Sequence, residues 1–255
     1  MLFCLFSAKI IAVLCIKIYG FFSAMNSSIN SGKIYIVIPA FNEESIIQDV
    51  IREIQGAGYE NIIVVDDGSG DNTQKKAQDV GAIALKHKIN RGYGAAVKTG
   101  IEAAKLLGAD IVITIDGDGQ HDPKNIENLV NPILKENFDV VLGTRLKNPK
   151  GMPFYKKLQN WIANIITWYL FGLWVSDSQS GFRAYSKNAM EKINTRYDRY
   201  EYASEVIREI YIYKLKFTEI PIQVRYTEYS MGKEQKQNIW NGTKTIYKMI
   251  LKLIH

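Results

Sequence analysis

Short apolar runs alternate with amphipathic stretches along the first half of this chain, and this alternation most restricts the fold. The runs at 33–38, 61–65, 82–86, 110–115 and 139–142 are rich in Ile and Val, which favours strands. The stretches between them repeat apolar residues at helical spacing. Strands that alternate with helices predict an α/β fold with a mostly parallel central sheet and helices on both faces.

Polar residues follow four of the predicted strands. These clusters are Asn42-Glu43, Asp66-Asp67, Asp116-Gly117-Asp118 and Gly143-Thr144-Arg145. Ligands bind outside the carboxyl ends of the strands in such sheets, so we expect the four clusters to converge on one edge. Asn42 is also a candidate cap for the first helix, because its side chain can accept a hydrogen bond from a backbone N–H.

Asp116 and Asp118 place two carboxylates at the end of an apolar strand. Hard oxygen ligands suit Mg²⁺ or Mn²⁺, and Gln120 offers a third oxygen. Ordinary turns also contain Asp-Gly pairs, and a phosphatase nucleophile can follow a strand, so the pair alone leaves these alternatives open. A calcium loop fits poorly, because His121 replaces its glycine and Pro123 interrupts it.

Two arginines and one further acidic residue are also candidate site residues. Arg145 and Arg183 are candidate anion-binding residues, since a guanidinium binds phosphate in a forked geometry. Asp177 is the candidate general base if the reaction needs one. The three histidines do not cluster in the sequence, which argues against a catalytic histidine.

The charge distribution indicates an anionic partner. Residues 1–143 contain 13 Lys and Arg against 17 Asp and Glu, whereas residues 144–255 contain 19 against 9. A basic second half suits phosphates or an anionic membrane surface. No helix-turn-helix, zinc-finger or RNA-binding signature occurs, so we expect no nucleic-acid partner. The two cysteines, Cys4 and Cys15, do not form a disulfide framework.

The chain divides into three predicted parts. Residues 1–32 form an apolar segment and linker, either an N-terminal anchor or sequence upstream of a start at Met25. Residues 33–235 form the catalytic domain, and residues 236–255 a basic amphipathic helix. The helix predicted at 158–173 contains Trp161 and Trp168, with Trp174 just beyond it. Both helices suit a membrane interface, which predicts a peripheral or monotopic protein on the cytoplasmic face.

Six runs occur in the order found in family 2 glycosyltransferases: 38–44, 64–71, 90–94, 116–121, 143–145 and 177–183. The chain resembles the branch containing dolichol-phosphate mannosyltransferase and bacterial polyprenyl-phosphate glycosyltransferases. The resemblance implies the GT-A nucleotide-sugar-binding fold and sugar transfer with inversion. The donor would be a GDP- or UDP-sugar, the acceptor a polyprenyl phosphate at the membrane, and the cofactor Mg²⁺ or Mn²⁺. Neither residues nor resemblance indicates an oligomeric state.

The resemblance also implies roles for individual residues. Those expected to bind the donor are Pro39, Phe41, Glu43, Asp67, Ile115, Asp116, Gly117, Asp118, Arg145 and Lys233. The expected metal ligands are Asp116, Asp118 and Gln120, and the expected catalytic residues are Asp118, Arg145 and Asp177. Lys156, Lys157 and Arg183 are expected to contact the acceptor phosphate.

One motif departs from the family pattern. An Arg-x-x-Gly-x-Ser-Lys run is expected after the strand at 217–224, but Thr227 stands at its arginine position. Arg225 and Lys233 are the candidate substitutes. Two alternatives to transfer onto a lipid phosphate remain open. They are transfer to a hydroxyl in polysaccharide or glycolipid synthesis, and nucleotide-sugar binding without catalysis. A nucleotidyltransferase is disfavoured, because the first strand lacks a glycine- and lysine-rich signature.

Overall fold

A single sheet organises the part of the chain that the computed structural model describes, residues 32–147, 154–199 and 201–225. Within these ranges seven strands lie in the order β3-β2-β1-β4-β6-β5-β7. The strands are β1 (Ile34–Ala40), β2 (Ile62–Asp66), β3 (Ile83–Lys86), β4 (Ile111–Thr114), β5 (Val140–Thr144), β6 (Arg183–Ser186) and β7 (Phe217–Pro221). The predicted mostly parallel sheet is confirmed.

Strand β6 is the exception to the parallel arrangement. It lies between β4 and β5 and runs antiparallel to both, with Leu142 of β5 opposite Arg183 of β6. The sequence did not predict this direction. The chain leaves β5 at the carboxyl edge and returns to the same edge after residue 182, so its next strand must run the opposite way.

Helices cover the sheet on both faces. They are α1 (Ile47–Gly56), α2 (Thr73–Asp79), α3 (Tyr93–Leu106), α4 (Ile126–Glu136), α5 (Phe154–Phe171), α6 (Lys187–Lys192) and α7 (Glu201–Ile212). A 3-10 turn, Pro123–Asn125, precedes α4. The short α6 was not predicted; the hydroxyl of Ser186 caps it by accepting a hydrogen bond from the N–H of Ala189.

The prediction for Asn42 is wrong. Helix α1 begins at Ile47, and Asn42 has a left-handed backbone with φ 54°. Its side chain instead accepts a hydrogen bond from the N–H of Gly70, at 3.0 Å. The amide therefore joins two loops at the sheet edge, a tertiary contact that local sequence does not reveal.

Alternate residues of each central strand pack into different cores. Ile36 and Ile38 of β1 face the core formed with α1 and α4, whereas Tyr35 and Val37 face the core formed with α3 and α7. Because neighbouring strand residues point to opposite faces, a strand covered on both sides is apolar throughout. This explains the unbroken Ile and Val runs and fixes the strand ends that carry the polar clusters.

Three predictions concern residues outside the described ranges: residues 1–31 of the N-terminal segment, Lys233, and the C-terminal helix at 236–255. Across the described ranges, none of the helices combines the length and apolar character needed to cross a bilayer.

Candidate active site

The polar clusters meet along one edge of the sheet, as the sequence predicted. β2, β1 and β4 are parallel neighbours, and Ala40 at the end of β1 pairs with Asp66 at the end of β2. The N–H of Asp67 then donates to the carbonyl of Ala40 at 2.8 Å. The loop before β6 reaches the same edge because that strand runs the opposite way.

The segment after β1 is fixed to the segment after β2. The N–H of Asn42 donates to the hydroxyl of Ser69 at 2.9 Å, and the N–H of Glu43 donates to the hydroxyl of Thr73 at 2.8 Å. Pro39 and Glu43 are buried, whereas the ring of Phe41 is 41% exposed. Phe41 and Asn42 are therefore the exposed residues of this segment, and the ring of Phe41 is an apolar surface that a ligand can reach.

Asp67 organises a neighbouring loop and does not point a free carboxylate at a ligand. One oxygen lies 2.7 Å from Nδ1 of His87 and accepts the N–H of Arg91 at 3.0 Å; the other accepts the N–H of Gly92 at 2.7 Å. The second ring nitrogen of His87 lies 2.9 Å from the hydroxyl of Thr99. Both oxygens of Asp67 thus hold the start of α3, and the expected contact of Asp67 with the nucleobase stays a prediction.

Asp116 sits beside two side chains that orient its carboxylate. Nε2 of His121 lies 3.2 Å from one oxygen, and the hydroxyl of Tyr93 hydrogen-bonds to the group. Burial works to raise the pKa of Asp116, but His121, Tyr93 and the charge of Arg145 outweigh it and hold the pKa below its usual value. The group is therefore an oriented anion at neutral pH.

Two glycines allow this close packing. A Cβ on Gly181 would lie 2.4 Å from both Oδ1 of Asp116 and the hydroxyl of Tyr93. A Cβ on Gly117 would lie 3.2 Å from the carbonyl of Pro39. Contacts of 2.4 Å are too short for any real side chain, so Gly181 leaves the space that the Asp116 carboxylate occupies.

Asp118 is a carboxylate whose surroundings disfavour its negative charge. Its Oδ1 accepts the N–H of Gln120 at 3.0 Å. Burial and the nearby charge of Asp116 nevertheless raise the pKa of Asp118 to about 6. Glu43 lies near enough to add to the same effect. A site where negative charges crowd in this way favours a bound cation.

The donor set fits a hard divalent metal that also binds a substrate phosphate. Among the described residues, no group of three or more His, Cys, Asp or Glu side chains is arranged to hold a metal. Asp116 and Asp118 are the two carboxylates expected to bind a metal, and Gln120 is buried in the same loop. Mg²⁺ is commonly bound by one or two carboxylates together with substrate phosphates and waters.

Arg145 and Asp177 form a forked ion pair. Nε of Arg145 lies 2.7 Å from Oδ2 of Asp177, and Nη2 lies 2.9 Å from Oδ1; the N–H of Arg145 also donates to Oδ2 at 3.0 Å. Burial acts to raise the pKa of Asp177, but the charge and hydrogen bonds of Arg145 outweigh it and lower the pKa. This arrangement disfavours the general-base role expected of Asp177, since a carboxylate with a lowered pKa and both oxygens engaged is a poor proton acceptor.

Arg183 supports the loop before β6 from within the protein. It is 2% exposed, and its guanidinium donates to the carbonyls of Ser178, Ser180 and Ala203 at 2.8 to 3.1 Å. The expected contact with the acceptor phosphate is contradicted by this burial. The side chain positions the loop instead.

Arg225 is also engaged away from the expected donor contact. Its guanidinium lies 2.7 Å from Glu53 and 3.1 Å from Asp122, and its N–H donates to the carbonyl of Gln120. Of the remaining basic candidates, Lys157 is partly exposed on α5. The backbone of Lys156 lies in the same helix, and its side chain is outside the described features.

Sequence reasoning missed the residues that orient Asp116. Tyr93 belongs to the 90–94 run, to which the sequence assigned no role in the site, and the spacing of the three histidines argued against a catalytic histidine. Gly181 lies in the 177–183 run but shows its importance only through the Cβ contact. The sequence signal that could have identified these three residues is that each lies in one of the six family-like runs.

Known proteins share both sequence and fold with this chain. The model of glycosyl transferase family 2 matches residues 35–194. An N-acetylglucosaminyltransferase of Methanococcus voltae, named for UDP-N-acetylglucosamine and dolichyl phosphate, is 41% identical over 86% of this chain and 95% of its own length. An uncharacterized protein of Methanocaldococcus jannaschii is 44% identical over 89% of this chain and 95% of its own length.

A solved structure has the same fold. Glucosyl-3-phosphoglycerate synthase from Mycobacterium tuberculosis, in complex with Mn²⁺, UDP and phosphoglyceric acid, superposes with a TM-score of 0.62. The two chains are 20% identical, and the match covers 85% of this chain and 78% of that one. The expected GT-A fold is therefore confirmed for the catalytic region.

Proposed function

We propose that this chain, which belongs to glycosyl transferase family 2, transfers a sugar from a UDP-linked donor to a polyprenyl phosphate. The similarity to the Methanococcus voltae enzyme supports UDP-N-acetylglucosamine as the donor and dolichyl phosphate as the acceptor. That relative matches almost end to end, so the similarity extends beyond the nucleotide-binding half.

The observation that carries the proposal is the Arg145–Asp177 fork. A hydroxyl acceptor needs a base to remove its proton, but Asp177 is held by Arg145. Asp116 and Asp118 lie in the loop suited to a metal, where a carboxylate that binds the cation is not free to accept a proton. A phosphate monoester is already anionic at neutral pH and needs no base.

The proposed step is a single displacement. An acceptor phosphate oxygen attacks the anomeric carbon, a new C–O bond forms, and the bond to the donor diphosphate breaks with inversion. The electron pair of that bond passes to the diphosphate, so no proton has to move. A divalent cation bound through Asp116 and Asp118, with Gln120, would offset the charge of the departing diphosphate. Arg145, oriented by Asp177, adds a positive charge on the same side.

Helix α5 supports a membrane-bound acceptor because its polarity is inverted. Asn164 and Thr167 are buried, whereas Trp161 and Trp168 are 54% and 49% exposed. A helix on the surface of a soluble protein normally buries apolar residues and exposes polar ones. Trp is enriched where an apolar phase meets water, so this face suits a bilayer surface. The enzyme would then lie on the membrane beside its lipid substrate, and the basic second half suits anionic headgroups.

The test is transfer with the full chain. UDP-N-acetylglucosamine is incubated with Mn²⁺ or Mg²⁺ and with either dolichyl phosphate or the uncharged alcohol dolichol, and lipid-linked sugar and UDP are quantified. We expect product only with the phosphate, loss of activity with a chelator, and loss in Asp118→Ala. GDP-linked sugars serve as the donor control. Transfer to dolichol with none to dolichyl phosphate would contradict the proposal and favour a hydroxyl-directed enzyme.

A further inference from the structure

The buried face of α5 contacts the loop that carries Asp177. Asn164 is 2% exposed. Its Nδ2 donates to the carbonyl of Ser176 at 2.6 Å, and its Oδ1 accepts the N–H of Ser178 at 2.9 Å. One side chain thus binds the backbone on both sides of Asp177. Only a group with both a donor and an acceptor can do this, and a neutral amide has both.

The same loop is held from the sheet side by a second set of bonds. The N–H and hydroxyl of Ser176 both donate to Oε1 of Glu219, at 2.6 and 2.8 Å. The hydroxyl of Ser176 also lies 2.7 Å from that of Thr144, the residue before Arg145. Ser176 is therefore held from two sides, whereas the N–H of Ser178 is held by Asn164.

We infer that Asn164 is a positioning residue for Arg145. Asn164 fixes the backbone of Asp177, and the Asp177 carboxylate fixes the guanidinium through two forked contacts. Arg145 directly follows β5, which points the same way as β4, so its charge lies at the edge of the sheet that carries Asp116 and Asp118. The inference rests on the proposed function in one respect, that Arg145 acts on the donor diphosphate.

A second polar contact on α5 provides a matched control. The hydroxyl of Thr167 lies 3.1 Å from that of Ser204 on α7, and Thr167 is 1% exposed. Thr167 attaches the same helix to the protein and forms no hydrogen bond to residues 176–178 in the described structure, although its partner Ser204 also accepts a hydrogen bond from Gln179 at 3.3 Å. Thr167→Val should therefore reproduce the loss of a buried polar contact without releasing Asp177.

The experiment is a double-mutant cycle of Asn164→Ala and Arg145→Ala in the full chain. The kcat and KM for UDP-N-acetylglucosamine are measured, together with the affinity for UDP in Mn²⁺ by calorimetry. The charge on the diphosphate is largest once the sugar bond is broken. We therefore expect Asn164→Ala to lower kcat about 10- to 100-fold and UDP affinity about tenfold, with donor KM changed less than about threefold.

The decisive comparison is the effect of Asn164→Ala with and without Arg145. In the Arg145→Ala background, Asn164→Ala should change kcat and UDP affinity less than about twofold, because its target is already absent. Thr167→Val should leave both values near wild type. Equal effects of Asn164→Ala in the two backgrounds would overturn the inference, and so would an equal kcat loss in Thr167→Val.

Two further measures keep the result interpretable. If Asn164→Ala does not fold, Asn164→Ser retains a small polar group, and the same non-additivity with Arg145→Ala is expected. If the wild type transfers no sugar to dolichyl phosphate, the proposed function fails, but the cycle in UDP affinity still decides the role of Asn164. If transfer occurs and the cycle is additive, only the role of Asn164 fails.

Discussion

Arg145 binds Asp177 through both carboxylate oxygens, with Nε 2.7 Å from one and Nη2 2.9 Å from the other. The acid is 1% exposed, whereas the side chain of Arg145 is 22% exposed. The pair therefore holds one partner inside the protein and presents the other at the edge of the sheet. An arginine in this position can contact a ligand while the buried Asp177 fixes the orientation of its guanidinium.

Arg145→Lys should lower kcat about 10- to 100-fold, because an ammonium cannot reproduce the two planar contacts. Asp177→Asn should lower kcat to a similar extent, since the amide keeps only one acceptor oxygen for the guanidinium and carries no negative charge. Steady-state transfer to dolichyl phosphate measures both. If Asp177 were a general base, Asp177→Asn would abolish activity while Arg145→Lys retained most of it. That pattern would contradict the assigned roles.

Asp118→Asn should stabilise the metal-free protein above pH 6 while abolishing activity. The folded pKa of Asp118 is about 6, above its ordinary value of 3.8, so ionising the folded group costs stability. The cost is absent below about pH 4, grows between pH 4 and 6, and reaches about 1 to 3 kcal/mol above that. Thermal unfolding in EDTA at pH 4 and pH 8 measures it.

The expected signature is a higher Tm of Asp118→Asn than of wild type at pH 8 and equal Tm values at pH 4. The amide oxygen of Asn can still accept the N–H of Gln120, so that hydrogen bond is conserved. A variant less stable than wild type at pH 8 would show that the carboxylate stabilises the metal-free fold, contrary to the expected cost of ionising Asp118.

Mn²⁺ affinity should fall as the pH drops below about 6. A proton on Asp118 competes directly with the cation, and the pKa of that carboxyl lies near 6. Binding without nucleotide avoids the titration of the UDP phosphate; electron paramagnetic resonance at pH 5, 6 and 7.5 measures free Mn²⁺. We expect roughly tenfold weaker binding at pH 5 than at pH 7.5. An affinity that is constant over this range would remove Asp118 from the metal site.

Gly181→Ala should abolish Mn²⁺-dependent UDP binding. The new Cβ would lie 2.4 Å from Oδ1 of Asp116 and from the hydroxyl of Tyr93, so the carboxylate would have to move. Gly70→Ala is the matched control, because a Cβ there has no heavy atom within 4 Å. Calorimetry of both variants checks the prediction. Wild-type UDP affinity in Gly181→Ala would mean that the position of Asp116 is not required.

Vesicle binding should depend on the tryptophans of the α5 region. Trp168 and Trp174 pack edge to face, with ring centroids 6.2 Å apart, and each is about half exposed. Replacing both with Ser in the full chain should weaken flotation with anionic vesicles about tenfold or more. Leu106→Ser is the control, since Leu106 is 89% exposed at the end of α3. Equal flotation of the two variants would count against a bilayer on this face.

Strands, helices and the active edge were predictable because they follow from local patterns. The unbroken apolar runs of β1 and β4 reflect burial on both faces, and a polar cluster after a strand reports the strand end directly. The roles of several side chains were not predictable. Arg183 donates to the carbonyl of Ala203, 20 residues away, and Asp67 accepts the N–H of Gly92, 25 residues away. Such partners are decided by packing, which no local pattern encodes.

Because β6 runs in the reversed direction, the connection between β5 and β6 can vary in length outside the residues that hold Arg145, Asp177 and Gly181 in place. Leu142 and Arg183 are cross-strand partners, so the chain departs and returns at adjacent points of one edge. A longer, shorter or differently shaped excursion could be inserted there without shifting the register of the sheet. Strands β1, β2 and β4, which present the carboxylates, would remain unchanged. Such a change in length would leave the carboxylates at the ends of the central strands where they are, as long as Arg145, Asp177 and Gly181 are retained.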